Sequence, residues 1–145
     1  MLSKSEEETI DLGYKLGKKL KKGMCITLVG DLAGGKTTFT KGIGKALNVK
    51  GIINSPTFTI LKIYKGDLTL YHIDAYRLDG ADYDLGFDEY LDEGVTVVEW
   101  PIYYKDYLPD EYLEISFKYI DDNTREINFI NHGDKYIDIV RSISC

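Results

Sequence analysis

Eight residues constrain this chain more than any others: Gly30-Asp31-Leu32-Ala33-Gly34-Gly35-Lys36-Thr37 fits the pattern G-x-x-x-x-G-K-[ST] at every fixed position. The pattern has a mechanical meaning. A wide loop turns its backbone N–H groups inward around phosphate oxygens, and the helix that follows presents its positive end. Lys36 supplies a point charge between the outer phosphates, and the Thr37 hydroxyl can ligate Mg2+. Such a loop needs a buried strand before it and a helix after it. The sequence offers both: the apolar run Met24-Cys25-Ile26-Thr27-Leu28-Val29 reads as a buried strand, and Lys36 to Leu47 has helical character although Gly42 and Gly44 weaken it.

The remaining pattern extends this frame. Ser3-x-x-Glu6 and Ser5-x-x-Glu8 are two candidate capping boxes, and Ile10, Gly13, Tyr14, Gly17 and Leu20 then repeat at helical spacing, with Gly23 as the stop. Residues 57–63 and 68–74 alternate as strands around the turn Lys65-Gly66-Asp67. The acidic stretch 79–94 is expected to hold short helical turns. Val95–Glu99 reads as a second buried strand, closed by Trp100-Pro101. Strands at 112–119 and 125–130 flank the hairpin turn Asp121-Asp122-Asn123-Thr124, and an amphipathic helix at about 134–143 closes the chain. This order points to an α/β sandwich with a mixed, partly antiparallel sheet. The length of 145 residues suits a single domain spanning 1–145.

Composition excludes several classes. With 43% apolar residues the chain is not disordered, and no stretch approaches the roughly 18 apolar residues of a spanning helix. The N-terminus is acidic where a signal peptide is basic and then apolar, and Cys25 reads as a reduced core thiol; both suit a cytoplasmic location. The net charge of −6 hides a split: residues 1–65 carry 12 Lys and Arg against 5 Asp and Glu, residues 66–145 carry 6 against 19. A basic first half can serve polyphosphate or RNA, while the overall acidity argues against a free-standing nucleic-acid binder.

A magnesium nucleotide site needs a carboxylate at the end of a neighbouring strand. Asp74 ends one strand and Glu99 another, so either can hold Mg2+ while the other orients the attacking water. Asn54-Ser55-Pro56-Thr57-Phe58-Thr59 lies where a phosphate-sensing loop is expected. His72 reads equally as a packed, hydrogen-bonded strand residue, and Arg77 is the arginine-finger candidate, with a surface ion pair as the competing reading. Trp100 can plug the core or face a partner, and Tyr103, Tyr104 and Tyr107 fit either an interface or helix packing. Guanine-specific relatives of this loop type usually carry Asn-Lys-x-Asp. The nearest string is Asn131-His132-Gly133-Asp134, so the expected base is adenine.

Four motifs in order carry a resemblance: Gly-Asp-Leu with Gly-Lys-Thr-Thr at 30–38, Ser-Pro-Thr-Phe-Thr at 55–59, His-x-Asp-x-Tyr-Arg at 72–77 and Val-Glu-Trp-Pro at 98–101. Over about residues 5–118 the chain resembles the TsaE (YjeE) family, small bacterial P-loop ATPases of tRNA threonylcarbamoyladenosine biosynthesis. The resemblance implies a P-loop NTPase-like three-layer sandwich that binds and hydrolyses ATP with Mg2+. It implies TsaB and TsaD as partners, which modify the adenosine beside the anticodon, with tRNA contacted only indirectly and no membrane. It places ATP on Asp31, Ala33, Gly34, Gly35, Lys36, Thr37 and Thr38, and Mg2+ on Thr37 and Glu99. Lys36, Asp74 and Thr59 take the catalytic or switch positions, and Trp100 stands next to the metal carboxylate. One departure is Ala33-Gly34 where the family usually reads Gly-Ala; an alanine forced to positive φ costs on the order of 1 kcal/mol.

Two other classes compete. A stand-alone small-molecule kinase would close an arginine-bearing lid, and the chain has only Arg77, Arg125 and Arg141. A nucleotide-gated module without turnover would be told apart by hydrolysis rates with and without partners.

Overall fold

The computed structural model describes residues 2–30, 35–50, 61–74, 93–99 and 108–144, with backbone only at Asp74 and Ser144. Among these residues seven strands and three helices occur in the order β1 (Leu2–Ser3), α1 (Glu6–Gly17), β2 (Cys25–Gly30), α2 (Lys36–Ala46), β3 (Leu61–Tyr64), β4 (Leu70–Asp74), β5 (Val95–Glu99), β6 (Tyr112–Tyr119), β7 (Arg125–His132) and α3 (Ile137–Ser144). The strands form one sheet ordered β1-β7-β6-β2-β5-β4-β3. Its centre is parallel, β2 lying between β5 and β6 and β5 also pairing β4, while β3, β7 and β1 join antiparallel at the two sides. The mixed sheet expected from the element order is the sheet observed.

The central strands are apolar throughout because both of their faces are covered. Ile26, Leu28, Val97, Leu113 and Ile115 belong to one core cluster with Leu12, Leu16, Phe39 and Ile43 of the helices. Cys25, Thr27, Thr96 and Val98, of the opposite parity, are equally withdrawn from water. A sheet buried on both faces is a middle layer. Each fully buried Leu, Ile or Phe contributes roughly 1.5–3 kcal/mol of transfer free energy. Phe39 of α2 meets Phe117 of β6 edge to face, 5.4 Å between centroids, which locks the helix after the loop onto the sheet.

Helices α1 and α2 cross closely, and glycine makes this possible. A Cβ on Gly13 would stand 2.2 Å from the Phe39 carbonyl oxygen, and one on Gly42 would stand 2.1 Å from that of Ile10. Gly42 therefore lowers helix propensity but admits the neighbouring backbone. At the far end, the Tyr136 hydroxyl accepts a 2.8 Å hydrogen bond from the Cys25 N–H and ties the segment before α3 to the start of β2. Cys25 is fully buried, and burial pushes its thiol up to about 12, opposed by the nearby Lys135. It is the inert core thiol expected.

Several boundaries differ from expectation. Helix α1 ends at Gly17 rather than running to the stop expected at Gly23; Lys19 and Leu20 continue in tight turns, donating to the carbonyls of Leu16 and Gly17. Leu20 keeps the helical spacing because it is still buried. Of the two candidate capping boxes only the second caps: Glu8 N–H donates to Ser5 Oγ at 3.1 Å, while the Glu8 carboxylate accepts from the Lys4 N–H. Ser3 instead shares a 2.6 Å hydrogen bond with Thr9. Strand β4 begins at Leu70, β7 runs on to His132, and the last helix begins at Ile137. The two-residue strand β1 was not foreseen. The expected strand residues 57–60 and the acidic stretch 79–92 lie outside the described residues.

Candidate nucleotide site

The site is assembled where the parallel strands end. Gly30, last in β2, has φ +123, and a Cβ there would stand 2.0 Å from the Phe117 carbonyl oxygen of β6. Only glycine lets the chain leave the sheet at this point. Gly35, φ +96, is the N-cap from which α2 starts. Asp31, Ala33 and Gly34 of the expected phosphate loop lie outside the described residues.

The two long helices begin differently. Helix α1 closes its own N-terminus with the Ser5 hydroxyl and three carboxylates, Glu6, Glu7 and Glu8, in its first turn. Helix α2 has no capping side chain at Gly35 and no acidic residue in its first turn. The first amides of a helix have no partner within the helix, and the macrodipole leaves them positive. Lys36, only 4% exposed, adds a cation there, and its Nζ donates to the Gly30 carbonyl at 3.0 Å, spanning the mouth of the loop. Thr37 and Thr38 are half-buried beside it. This cluster suits an anion.

A carboxylate stands on the adjacent strand. Glu99 ends β5, opposite Leu28 of β2, two residues before Gly30. It is 5% exposed, and its Oε2 lies 2.6 Å from Nε2 of His72 on β4. The parallel register sets Asp74 opposite Glu99, so both candidate carboxylate positions fall at the same end of the sheet as the loop. Among the described residues no three His, Cys, Asp or Glu side chains converge as a self-sufficient metal cage. Mg2+ is ordinarily held by one or two carboxylates plus substrate phosphates, and the donors Thr37 and Glu99 fit that mode. Thr59, Arg77, Trp100, Tyr103, Tyr104, Tyr107 and the 54–59 loop lie outside the described residues.

Sequence reasoning missed one part. A polar cleft of about 280 Å³ adjoins the start of α2, lined by Ser5, Glu6, Thr9, Gly35, Thr38, Asp122, Asn123 and Arg125. Antiparallel pairing of Ser3 with Arg125 brings the start of α1 beside the β6–β7 turn. There the Asp121 carboxylate accepts the N–H groups of Asn123 (2.9 Å) and Thr124 (2.8 Å), which holds its pKa below the usual range. The Arg125 guanidinium lies 4.8 Å from the centre of the Tyr119 ring. The available signal was Arg125 itself, one of three arginines and directly after a turn. The Asn131–Asp134 string, by contrast, is remote from the loop. His132 pairs with Tyr112 at the opposite end of β6 from Phe117, stacks on the Tyr112 ring at 4.3 Å and meets Glu114 at 3.1 Å.

No helix among the described residues is long and apolar enough to cross a membrane. The family model described as "Threonylcarbamoyl adenosine biosynthesis protein TsaE" matches residues 3–127. The chain is 46% identical over 132 residues to the tRNA threonylcarbamoyladenosine biosynthesis protein TsaE of Bacillus subtilis, covering 90% of this chain and 84% of the relative. It is 40% identical over 129 residues to the TsaE protein of Treponema pallidum, covering 87% and 96%. Its structure is similar to the crystal structure of Bacillus subtilis YdiB, with a TM-score of 0.85 and 38% identity over 99% of this chain and 92% of that one. The open helix start, the strand-end carboxylate and these likenesses lead to one conclusion: the chain belongs to the TsaE family.

Proposed function

We propose that this protein is a cytoplasmic Mg2+-dependent ATPase that works with TsaB and TsaD in forming threonylcarbamoyladenosine on tRNA, resetting that complex between turnovers. The observation carrying the reading is the uncapped, acid-free start of α2 with Lys36 folded across it. The 30–38 backbone amides and Lys36 grip the phosphates, and the cleft of Ser5, Thr9, Asn123 and Arg125 takes the nucleoside. Thr37 and Glu99 would hold Mg2+, which when bound would supply charge neutralisation on the terminal phosphates. Asp74, in register with Glu99, orients the water that attacks the γ-phosphorus as the bond to the β-phosphate oxygen breaks, giving ADP and inorganic phosphate. Thr59 reports the γ-phosphate. Interaction with tRNA is indirect, through the partner proteins.

The test is reconstitution. Purified TsaB and TsaD matched to this protein should form threonylcarbamoyladenosine on tRNA only when it and ATP are present, and should raise its hydrolysis rate. Modification independent of this chain would overturn the role. An unchanged, near-zero hydrolysis rate with partners would favour a nucleotide-gated module.

A further inference from the structure

The His72–Glu99 contact has features that packing alone does not require. His72 is fully buried on β4, and its partner is not the residue directly across the register, Val97, but Glu99 two positions further along β5. Nε2 lies 2.6 Å from Glu99 Oε2, and with Glu99 as a carboxylate, which can only accept, Nε2 carries the ring hydrogen and donates. That choice leaves Nδ1 buried and, among the described residues, without a hydrogen-bond partner. An unmatched buried polar atom is disfavoured and calls for an explanation. Here the ring gives up one nitrogen to fix a carboxylate at the mouth of the phosphate loop.

We infer that His72 is a positioning residue for Glu99: it engages Oε2 and thereby fixes the rotation of the carboxyl group, leaving Oε1 to serve a divalent cation. The inference rests on the proposed metal role of Glu99 and adds to it the device that orients the ligand. Ligating carboxylates are usually held in this way, and loss of the holding group typically weakens metal binding about 10–100-fold. Residue His72 touches neither nucleotide nor water in this account.

The test reads metal affinity rather than turnover. Mn2+ binding is measured by electron paramagnetic resonance with a non-hydrolysable ATP analogue, and analogue binding is measured separately in EDTA. His72→Leu should weaken Mn2+ binding about 10–100-fold while affinity in EDTA changes by less than about threefold. His72→Gln returns an N–H donor to the Nε2 position and should retain near-wild-type Mn2+ affinity. His72→Asn, whose donor reaches only the Nδ1 position, should behave like His72→Leu. The Gln/Asn contrast decides the matter if the leucine variant does not fold. Wild-type Mn2+ affinity in His72→Leu or His72→Asn overturns the inference, as does equal loss in His72→Gln. Glu99→Gln separates the two levels: if it leaves Mn2+ affinity intact, the metal role of Glu99 fails and this inference with it. If Glu99→Gln loses Mn2+ and His72→Leu does not, only the positioning role fails.

Discussion

Lys36 is an ammonium group withdrawn from water, and such a charge is tolerated only where oxygens meet it. Its hydrogen bond to the Gly30 carbonyl keeps it at the start of α2, where the proposed phosphates would sit. Lys36→Ala should therefore weaken MgATP binding by about 100-fold or more, the worth of a charge-assisted contact near 3 kcal/mol, as read by calorimetry. Glu99→Ala should lower partner-stimulated hydrolysis far more than nucleotide affinity; near-wild-type hydrolysis would rule out the metal role proposed for Glu99. Gly30→Ala combines positive φ with a Cβ against backbone. It should cost about 2 kcal/mol or more of stability in a denaturant titration, because the Phe117 carbonyl belongs to a strand that cannot move aside.

At the scale of elements, the helix crossing is the most sensitive joint. Gly42→Ala gains roughly 1 kcal/mol of helix propensity but sets a methyl against the Ile10 carbonyl. Overpacking of this kind costs about 1–3 kcal/mol, and net destabilisation is expected in thermal unfolding. Strands β2 and β5 were legible because strands buried on both faces read as continuous apolar runs. The 30–37 pattern stood out because it sets residue types at fixed spacing between an apolar run and a helix, and that strand and helix are the β2 and α2 observed. Strand β1 was not, since two residues carry no periodicity. The polar cleft was hidden for a different reason: Thr9 and Arg125 are far apart in sequence, and only the β1–β7 pairing joins them. His72 was readable as a hydrogen-bonded strand residue, but its partner lies diagonally across the β4–β5 register, which no spacing rule specifies.

For the molecule as a whole, two groups at one joint set an alkaline limit. Burial raises the Cys25 thiol to about 12 and the Tyr136 hydroxyl to about 12, from ordinary values of 9.0 and 10.0. Both folded values lie above the unfolded ones, so both groups favour the folded state while protonated. Their contribution is intact below about pH 9 and is lost as pH rises towards 12. Thermal midpoints should fall across that window. Tyr136→Phe should remove the tyrosine part of this slope, and at neutral pH it should cost about 1–3 kcal/mol by leaving the Cys25 N–H unmatched. Nucleotide acts in the other direction: a ligand at 100 times its dissociation constant adds about 2.7 kcal/mol to folded-state stability. The most direct measurement is a calorimetric titration of the purified protein with ATP under saturating Mg2+, run beside Lys36→Ala. A saturable 1:1 isotherm in the native protein, lost in the variant, is the result expected; no heat in the native protein, or equal binding in both, would contradict a triphosphate seated at the start of α2.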